Sequence, residues 1–175
     1  MTQTQIAIND VYLPYLDCMS RTQIYYGGSA SGKSVFLAQR AVLDLMAGGR
    51  NYLICRQVGR TIRGSVAMEL QKIIIGGGLS EYFNLNKTDG TITCLATGNQ
   101  AIFSGLDDVE KLKSITPAKG SLTDIWLEEA TEAAQDSVKQ LIKRQRGGSE
   151  KTPKRLTLSF NPILQNHWIY KEYFA

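Results

Sequence analysis

Short apolar runs of strand length alternate along this chain with longer segments of helical periodicity. Each helical segment is followed by two or three glycines, which commonly end helices. The runs predicted as strands are 22–26, 51–56, 91–95, 100–103, 122–127 and 156–160, and the predicted helices are 35–46, 65–75 and 136–146. The four turn residues between 91–95 and 100–103 predict a hairpin there. Strands that alternate with helices favour an α/β fold, in which helices flank a mainly parallel central sheet.

Length and composition are those of a soluble protein built as one domain. The 175 residues are 43% hydrophobic and 21% charged, without a signal peptide or an apolar run of membrane-spanning length. A single cytoplasmic domain over residues 1–175 is therefore expected. The net charge of +4 permits contact with nucleic acid without requiring it. Three widely spaced cysteines form neither a disulfide framework nor a zinc motif, which predicts reduced thiols.

The strongest chemical signal is a glycine-rich stretch between the first predicted strand and the first predicted helix. It reads GGSASGKS, which fits the pattern Gly, four residues, Gly, Lys, Ser/Thr of a phosphate-binding loop. In such a loop, backbone amides and the helix N-terminus bind phosphates, the lysine reaches the outer phosphates and the hydroxyl binds magnesium. The alternative is a chance glycine-rich turn, against which the strand–loop–helix context argues. The predicted nucleotide site comprises Gly27, Gly28, Ser29, Ala30, Ser31, Gly32, Lys33 and Ser34.

Two adjacent acids, Glu128 and Glu129, directly follow the predicted strand 122–127. Because side chains alternate along a strand, the two carboxylates should leave it in different directions. Phosphate-loop hydrolases use such a pair, with one acid at the magnesium ion and the other polarising the attacking water. An acidic pair after an apolar strand is weak evidence alone, but downstream of a phosphate loop it predicts these two roles.

Two further polar residues stand at the ends of predicted strands, where α/β sheets bind ligands. Arg56 ends the strand 51–56 and is a candidate phosphate sensor; the alternative is a surface charge that caps the strand. Asn161 follows the strand 156–160, where an amide can bond the γ-phosphate or the attacking water. The alternative is that Asn161 only starts a turn with Pro162.

The predicted helix 136–146 is basic. Lys139, Lys143 and Arg146 share one of its faces through spacings of four and three. Together with Arg144, they predict a contact with the DNA backbone or with a neighbouring subunit. The alternative is a solvated basic face, which the negative end of the helix dipole favours.

Three acids, Asp107, Asp108 and Glu110, follow Gly105 and Leu106. Paired acids suggest a metal site. Since no other ligand lies nearby in the sequence, a solvated loop or a helix cap is the favoured interpretation.

Taken together, these motifs resemble a known family, the large terminase subunit of tailed bacteriophages and prophages, in its ATPase domain. The residues that carry the resemblance span nearly the whole chain in the family's order: GGSASGKS (27–34), IFSGLDD (102–108), IWLEEAT (125–131) and SFNP (159–162), with His167 and Trp168 beyond. The phosphate loop is shared by many families, whereas the later runs are far more specific. The resemblance implies a P-loop NTPase of the additional-strand, catalytic-glutamate type.

The resemblance also implies roles and partners. The motor would hydrolyse ATP with Mg²⁺ to drive double-stranded DNA into a procapsid in the bacterial host cytoplasm. It would work as a homo-oligomeric ring on the portal protein, together with the small terminase subunit. Lys33 and Ser34 match the Walker A lysine and magnesium hydroxyl, Glu128 the magnesium-binding Walker B acid, Glu129 the catalytic glutamate and Ser159–Asn161 the coupling motif. The strand ending at Phe160 would lie between those ending at Tyr26 and Leu127.

Two departures from the family pattern matter. Many relatives carry an arginine finger inside the phosphate loop, where this chain has Ser29 and Ala30. The finger would then come from Arg56, or from Arg144 or Arg146 of a neighbouring subunit. The Walker B acid is also Glu, which is longer than the commoner Asp.

Full-length terminases carry a C-terminal nuclease with clustered metal-binding acids, and no such acids follow Pro162. The sequence therefore predicts an isolated motor domain without nuclease activity. Two alternatives stay open: another DNA-translocating or helicase-like P-loop ATPase, and a nucleotide-gated DNA-binding module whose hydrolysis is vestigial.

Overall fold

A computed structural model describes residues 5–107, 109–145 and 152–175, within which a single seven-stranded sheet is flanked by helices. The strands are β1 (Thr22–Tyr26), β2 (Tyr52–Arg56), β3 (Phe83–Asn86), β4 (Thr91–Cys94), β5 (Gln100–Gly105), β6 (Asp124–Glu128) and β7 (Arg155–Phe160). The α-helices are α1 (Lys33–Ala47), α2 (Gly59–Ile62), α3 (Val66–Gly76), α4 (Val109–Ser114), α5 (Gln135–Arg144) and α6 (Trp168–Tyr173). Short 3₁₀ helices occupy Asp10–Tyr15, Ser80–Tyr82 and Ala130–Glu132.

The strand order is β1-β7-β6-β2-β5-β4-β3. The first five strands in this order pair in parallel, while β4 is antiparallel to both of its neighbours. The expected mainly parallel sheet is confirmed, as are the hairpin of β4 and β5 and the position of β7 between β1 and β6. Because parallel strands end at the same edge, the carboxyl ends of β1, β7, β6 and β2 lie side by side.

Both faces of the sheet are covered, so the central strands are apolar along most of their length. Every residue of β6 and β7 is buried. On one face, α1 and α3 contribute side chains such as Phe36 and Leu70 to a core with Trp126 of β6. On the other face, residues of α5 and α6 pack with alternate residues of the same strands, such as Leu127. The result is a three-layer α/β arrangement with a hydrophobic core on each side.

The amino ends of the strands, opposite to the edge of the phosphate loop, are joined by buried ion pairs. Asp124 at the start of β6 accepts hydrogen bonds from Arg50, at 3.0 Å, and from the Nε of Arg155. Arg155 at the start of β7 also bonds Asp44 of α1 and the hydroxyl of Tyr52. These pairs connect two strands and a helix at that edge of the sheet.

The predicted elements differ from the observed ones mainly where elements are short. Strand β3 and helix α2 were not predicted. Each has four residues, which is too short a segment to display a periodic pattern of apolar positions. Helix α1 begins at Lys33, two residues before the predicted start, since the phosphate loop passes directly into it. No helix among the described residues combines the length and apolar character needed to cross a bilayer.

Candidate nucleotide-binding site

The glycine-rich stretch lies between β1 and α1, as predicted, and its backbone bends sharply. Gly32 has φ of 85° and Ala30 has φ of 63°, both in the left-handed region. At Gly32 the positive φ makes glycine the residue that fits without strain, and the Tyr12 ring lies in contact with this position. The loop is tied to the sheet because the amide of Gly27 donates to the carbonyl of Phe160 at 3.3 Å. This backbone is suited to place amides around an anion at the start of a helix.

The Lys33 ammonium lies inside the loop. It donates to the carbonyls of Gly27, at 2.8 Å, and Gly28, at 3.1 Å, and to the hydroxyl of Ser31, at 3.1 Å. These neutral acceptors hold the cation where an outer phosphate would take their place. The ammonium thus lies within the loop, and the phosphate role of Lys33 stays a prediction.

Tyr12 supports the loop from outside, and no pattern in the sequence pointed to it. Its hydroxyl donates to the carbonyl of Ser31 at 2.8 Å, and its ring stacks on Phe36 of α1 with centroids 4.7 Å apart. Beside the loop, a cavity of about 330 Å³ is lined by Tyr12, Tyr15, Tyr25 and Lys33, among others. The segment before β1 therefore forms one wall of the site.

Glu128 and Ser34, the predicted metal pair, face each other across the gap between β6 and α1. The hydroxyl of Ser34 donates to Oε1 of Glu128 at 3.4 Å, and the glutamate is only 8% exposed. A hydroxyl and a carboxylate are hard oxygen ligands of the kind that magnesium prefers. Magnesium keeps several waters and needs only one or two protein ligands, so these two residues fit the ion. No cluster of three or more metal-binding side chains occurs among the described residues.

Burial and neighbouring charges shift the pKa of Glu128 in opposite directions. Burial is the largest influence and raises the pKa of this carboxyl, because the charged form loses hydration. The hydrogen bond from Ser65 and the charge of Arg56 lower the same pKa, whereas the neighbouring Glu129 raises it. A divalent cation next to this buried carboxylate would favour its charged form.

Glu129 sits at a backbone reversal immediately after β6. It is half-buried and has φ of 49° and ψ of 50°, which is uncommon for a residue with a side chain. The 3₁₀ helix Ala130–Glu132 follows it. Strained backbone of this kind persists where the surrounding structure holds it, and it clusters at active sites. Because the backbone turns here, Glu129 is less buried than its neighbour Glu128.

The residues at the end of β7 are placed in two different ways. Asn161 is exposed and directly follows Phe160, whose carbonyl holds Gly27 of the loop. Ser159, by contrast, is buried, and its hydroxyl accepts a hydrogen bond from the indole of Trp126 at 2.9 Å. Ser159 therefore links β7 to β6, while Asn161 stands at the edge of the phosphate loop.

Arg56 ends β2 between two acids. Its Nη2 lies 3.7 Å from Glu132, and its charge lowers the pKa of Glu128. Its Nε is buried without a hydrogen-bond partner among the described residues. The guanidinium is thus held at the site edge of the sheet, which favours the phosphate-sensor interpretation over a solvated cap.

Helix α5 presents part of the predicted basic face. Lys139 and Lys143 are exposed on it, one turn apart. Arg144 instead donates to the backbone carbonyl of Lys113, which attaches the end of the helix to α4. The helix ends at Arg144 and not at 146, because buried Gln145 donates to the carbonyls of Thr123 and Arg155. Arg146 lies outside the described residues.

Asp107 acts as a helix cap, one of the alternatives that the sequence left open. Its carboxylate accepts hydrogen bonds from the amide of Gly59, the first residue of α2, at 3.1 and 3.3 Å. Asp108 lies outside the described residues, and so does the side chain of Glu110.

Ser65, just before α3, was not singled out from the sequence, although its hydroxyl donates to Oε2 of Glu128 at 3.0 Å.

Comparison with known proteins gives consistent matches. The family model described as phage terminase large subunit matches residues 19–175. The large terminase subunit of Bacillus phage SPP1 is 33% identical over 106 residues, which are 61% of this chain and 25% of that protein. The PBSX phage terminase large subunit of Bacillus subtilis (strain 168) is 29% identical over 157 residues, which are 87% of this chain and 34% of that protein. The chain thus spans about a quarter to a third of these curated relatives.

Solved structures show the same likeness. The large terminase of a thermophilic bacteriophage matches with a TM-score of 0.69 at 19% identity, over 87% of this chain and 36% of that one. The same phage protein has also been solved in complex with ATP-γ-S, and that structure matches with a TM-score of 0.67. The N-terminal domain of the DNA packaging ATPase from bacteriophage phi29 matches with a TM-score of 0.68 at 13% identity, over 93% of this chain and 84% of that one. At these levels of identity the likeness shows the shared fold.

Proposed function

The chain belongs to the phage terminase large subunit family, and from this premise we propose that it is the motor that hydrolyses ATP to drive double-stranded DNA into a viral procapsid. The observation that carries the proposal is the contact between Ser34 of the phosphate loop and Glu128 at the end of β6. This contact connects the two motifs that the proposed hydrolysis needs, the loop that would hold the phosphates and the strand that carries the acids. Glu129 follows directly, and as a base it would take the proton from a water that attacks the γ-phosphate.

The proposed mechanism assigns each residue a separate task. Loop amides and the N-terminus of α1 hold the phosphates, and Lys33 moves from the loop carbonyls to the outer phosphate oxygens. A magnesium ion held by Ser34 and Glu128 would neutralise charge that develops on the transferred phosphoryl group. Glu129 orients the attacking water and accepts its proton. Asn161, at the edge of the loop, would bond the γ-phosphate or this water and respond when the phosphate leaves.

The position of Arg56 supports it as the arginine finger of its own subunit. It would replace the arginine that many relatives carry in the phosphate loop. Arg144 is already bonded to a backbone carbonyl of its own chain, whereas the Nε of Arg56 has no partner among the described residues. We expect Arg56→Ala to lower steady-state ATP turnover about 100-fold, because it removes a preorganised donor to transition-state charge. Arg144→Ala should change turnover by less than about threefold, well below the effect of losing such a donor. Phosphate release under saturating ATP measures both.

A mixing experiment identifies the subunit that supplies the arginine. Lys33→Ala subunits, which lack phosphate binding but keep Arg56, are mixed with Arg56→Ala subunits. If Arg56 acts within its own subunit, the mixture hydrolyses ATP no faster than its two components. Recovery of turnover in the mixture would place the arginine in a neighbouring site and contradict the assignment in cis.

The proposed partners are double-stranded DNA, the portal protein and the small terminase subunit. The proposal includes a homo-oligomeric ring of this chain on the procapsid portal, in the cytoplasm of a bacterial host. The basic exposed residues Lys139 and Lys143 are the part of the described surface that we assign to the DNA backbone.

We expect Lys139→Ala combined with Lys143→Ala to weaken DNA binding equally for all sequences. The slope of log affinity against log salt concentration should fall by about two, one for each lost phosphate contact. Fluorescence anisotropy of a labelled duplex between low and moderate salt measures this slope. Lys72→Ala, which removes an exposed lysine from α3, serves as the control. An unchanged slope in the double variant would remove α5 from the DNA surface.

A further inference from the structure

We propose that Ser65 is a positioning residue for Glu128 and thereby for magnesium binding, an inference that rests on the proposed function. The two oxygens of the Glu128 carboxylate have different hydroxyl partners. Oε1 faces Ser34 at 3.4 Å and Oε2 accepts from Ser65 at 3.0 Å. Ser34 comes from the phosphate loop, but Ser65 belongs to the connection between β2 and α3. The acid is therefore fixed from two separate parts of the chain.

The local structure argues that the Ser65 hydroxyl serves Glu128 and not its own helix. A serine that precedes a helix normally accepts a hydrogen bond from an amide of the first turn. Ser65 stands at this position before α3, yet within the described chain its side chain makes no such bond. Its other side-chain contact, with the carbonyl of Ile62, is long at 3.5 Å. The hydroxyl caps no amide of α3, and the shorter of its two contacts is the bond that it donates to the carboxylate.

The segment from Gly59 to Ser65 is held at its start against the end of β5. At its start, the amide of Gly59 bonds the carboxylate of Asp107. The backbones of Gly59 and Gly105 approach so closely that a side chain at Gly105 would stand 2.4 Å from the Gly59 nitrogen. The Gly-Leu-Asp run that begins with the last residue of β5 thus helps to fix the connection from which Ser65 reaches Glu128.

The chemistry of a magnesium ligand explains why this hydroxyl matters. When Oε2 is held by Ser65, the lone pairs of Oε1 stay directed toward Ser34 and the phosphate loop. Without that bond the carboxylate can rotate, and Oε2 loses the donor that holds it at 3.0 Å. Hydrogen bonds to metal ligands commonly contribute about 10- to 100-fold in metal affinity or activity. Ser65 should therefore affect magnesium-dependent nucleotide binding more than binding in the absence of metal.

The test compares nucleotide binding with and without magnesium. The Kd of a fluorescent ATP analogue is measured in magnesium chloride and in EDTA for the wild type, Ser65→Ala and Ser65→Thr. We expect Ser65→Ala to reduce the magnesium-dependent gain in affinity about 10-fold, with the Kd in EDTA changed by less than about twofold. Ser65→Thr keeps the hydroxyl and should restore most of the gain. The magnesium concentration at half-maximal binding should rise in Ser65→Ala.

Thr61→Ala is the matched control, because its hydroxyl lies on the same segment but donates to the carbonyl of Val58. Its magnesium-dependent gain should equal that of the wild type. If Ser65→Ala keeps the wild-type gain, or if Thr61→Ala loses as much, the positioning role is wrong. A wild type without any magnesium-dependent gain would instead contradict the proposed function itself. A circular dichroism melt of each variant checks that the fold is retained.

Discussion

Glu129→Gln is expected to lower ATP turnover about a thousandfold, because glutamine keeps the shape of the side chain but cannot accept the proton of the attacking water. General-base catalysis contributes about 10²- to 10⁴-fold. The affinity for nucleotide should stay within about threefold of the wild type, since binding depends on the phosphate loop and Lys33, which the substitution leaves in place. Phosphate release measures turnover, and a fluorescent ATP analogue measures affinity.

Glu132→Gln is the matched control for this experiment. It neutralises a carboxylate at the end of the same 3₁₀ helix, and that side chain is 47% exposed and only distantly paired with Arg56. Its turnover should stay within about tenfold of the wild type, because it accepts no proton in the proposed step. A Glu129→Gln protein that hydrolyses ATP at the wild-type rate would exclude Glu129 as the base. Equal, near-zero rates in the wild type and Glu129→Gln would leave a nucleotide-gated binding module as the function.

The framework of the site could be predicted because it depends on local sequence. A glycine-rich loop needs a strand before it and a helix after it, and both are visible as apolar runs. Since parallel strands end at one edge, Ser34 and Glu128 could be expected to meet although 94 residues separate them. The structure brings these two side chains into contact, and it confirms the placement of β7 next to β1.

The supporting residues could not be predicted, because tertiary packing decides their contacts. Local rules assign a serine before a helix to capping, whereas Ser65 bonds an acid 63 residues away. Tyr12 bonds the carbonyl of Ser31 and stacks its ring on Phe36, and both contacts join residues far apart in the sequence. The left-handed backbone of Glu129 could not be predicted from the sequence, because glutamate rarely adopts this conformation. These contacts hold the candidate site residues in place, whereas the sequence pattern shows only which residues they are.

Asp124→Ala is expected to destabilise the fold by about 3–5 kcal/mol, the usual cost of leaving buried charge without its partner. Asp124 is 2% exposed and pairs with both Arg50 and Arg155. Its removal leaves the buried side chain of Arg155 with Asp44 as its remaining carboxylate partner in the described part of the chain. Since whole domains are stable by only about 5–15 kcal/mol, the variant should lose a large part of its stability. Urea denaturation followed by circular dichroism measures the free energy of unfolding.

The ion pairs at the amino ends of the strands lie opposite to the candidate nucleotide site. A substitution there should therefore lower the free energy of unfolding without changing the affinity for nucleotide. Below its unfolding transition, Asp124→Ala should bind the fluorescent ATP analogue with nearly wild-type affinity, because Lys33, Ser34 and Glu128 stay at the carboxyl edge. Asp17→Ala, at a position far less buried than Asp124, is the control and should leave the unfolding free energy nearly unchanged. If Asp124→Ala unfolds at the wild-type urea concentration, the buried ion pairs of Asp124 contribute nothing net to the stability of the fold.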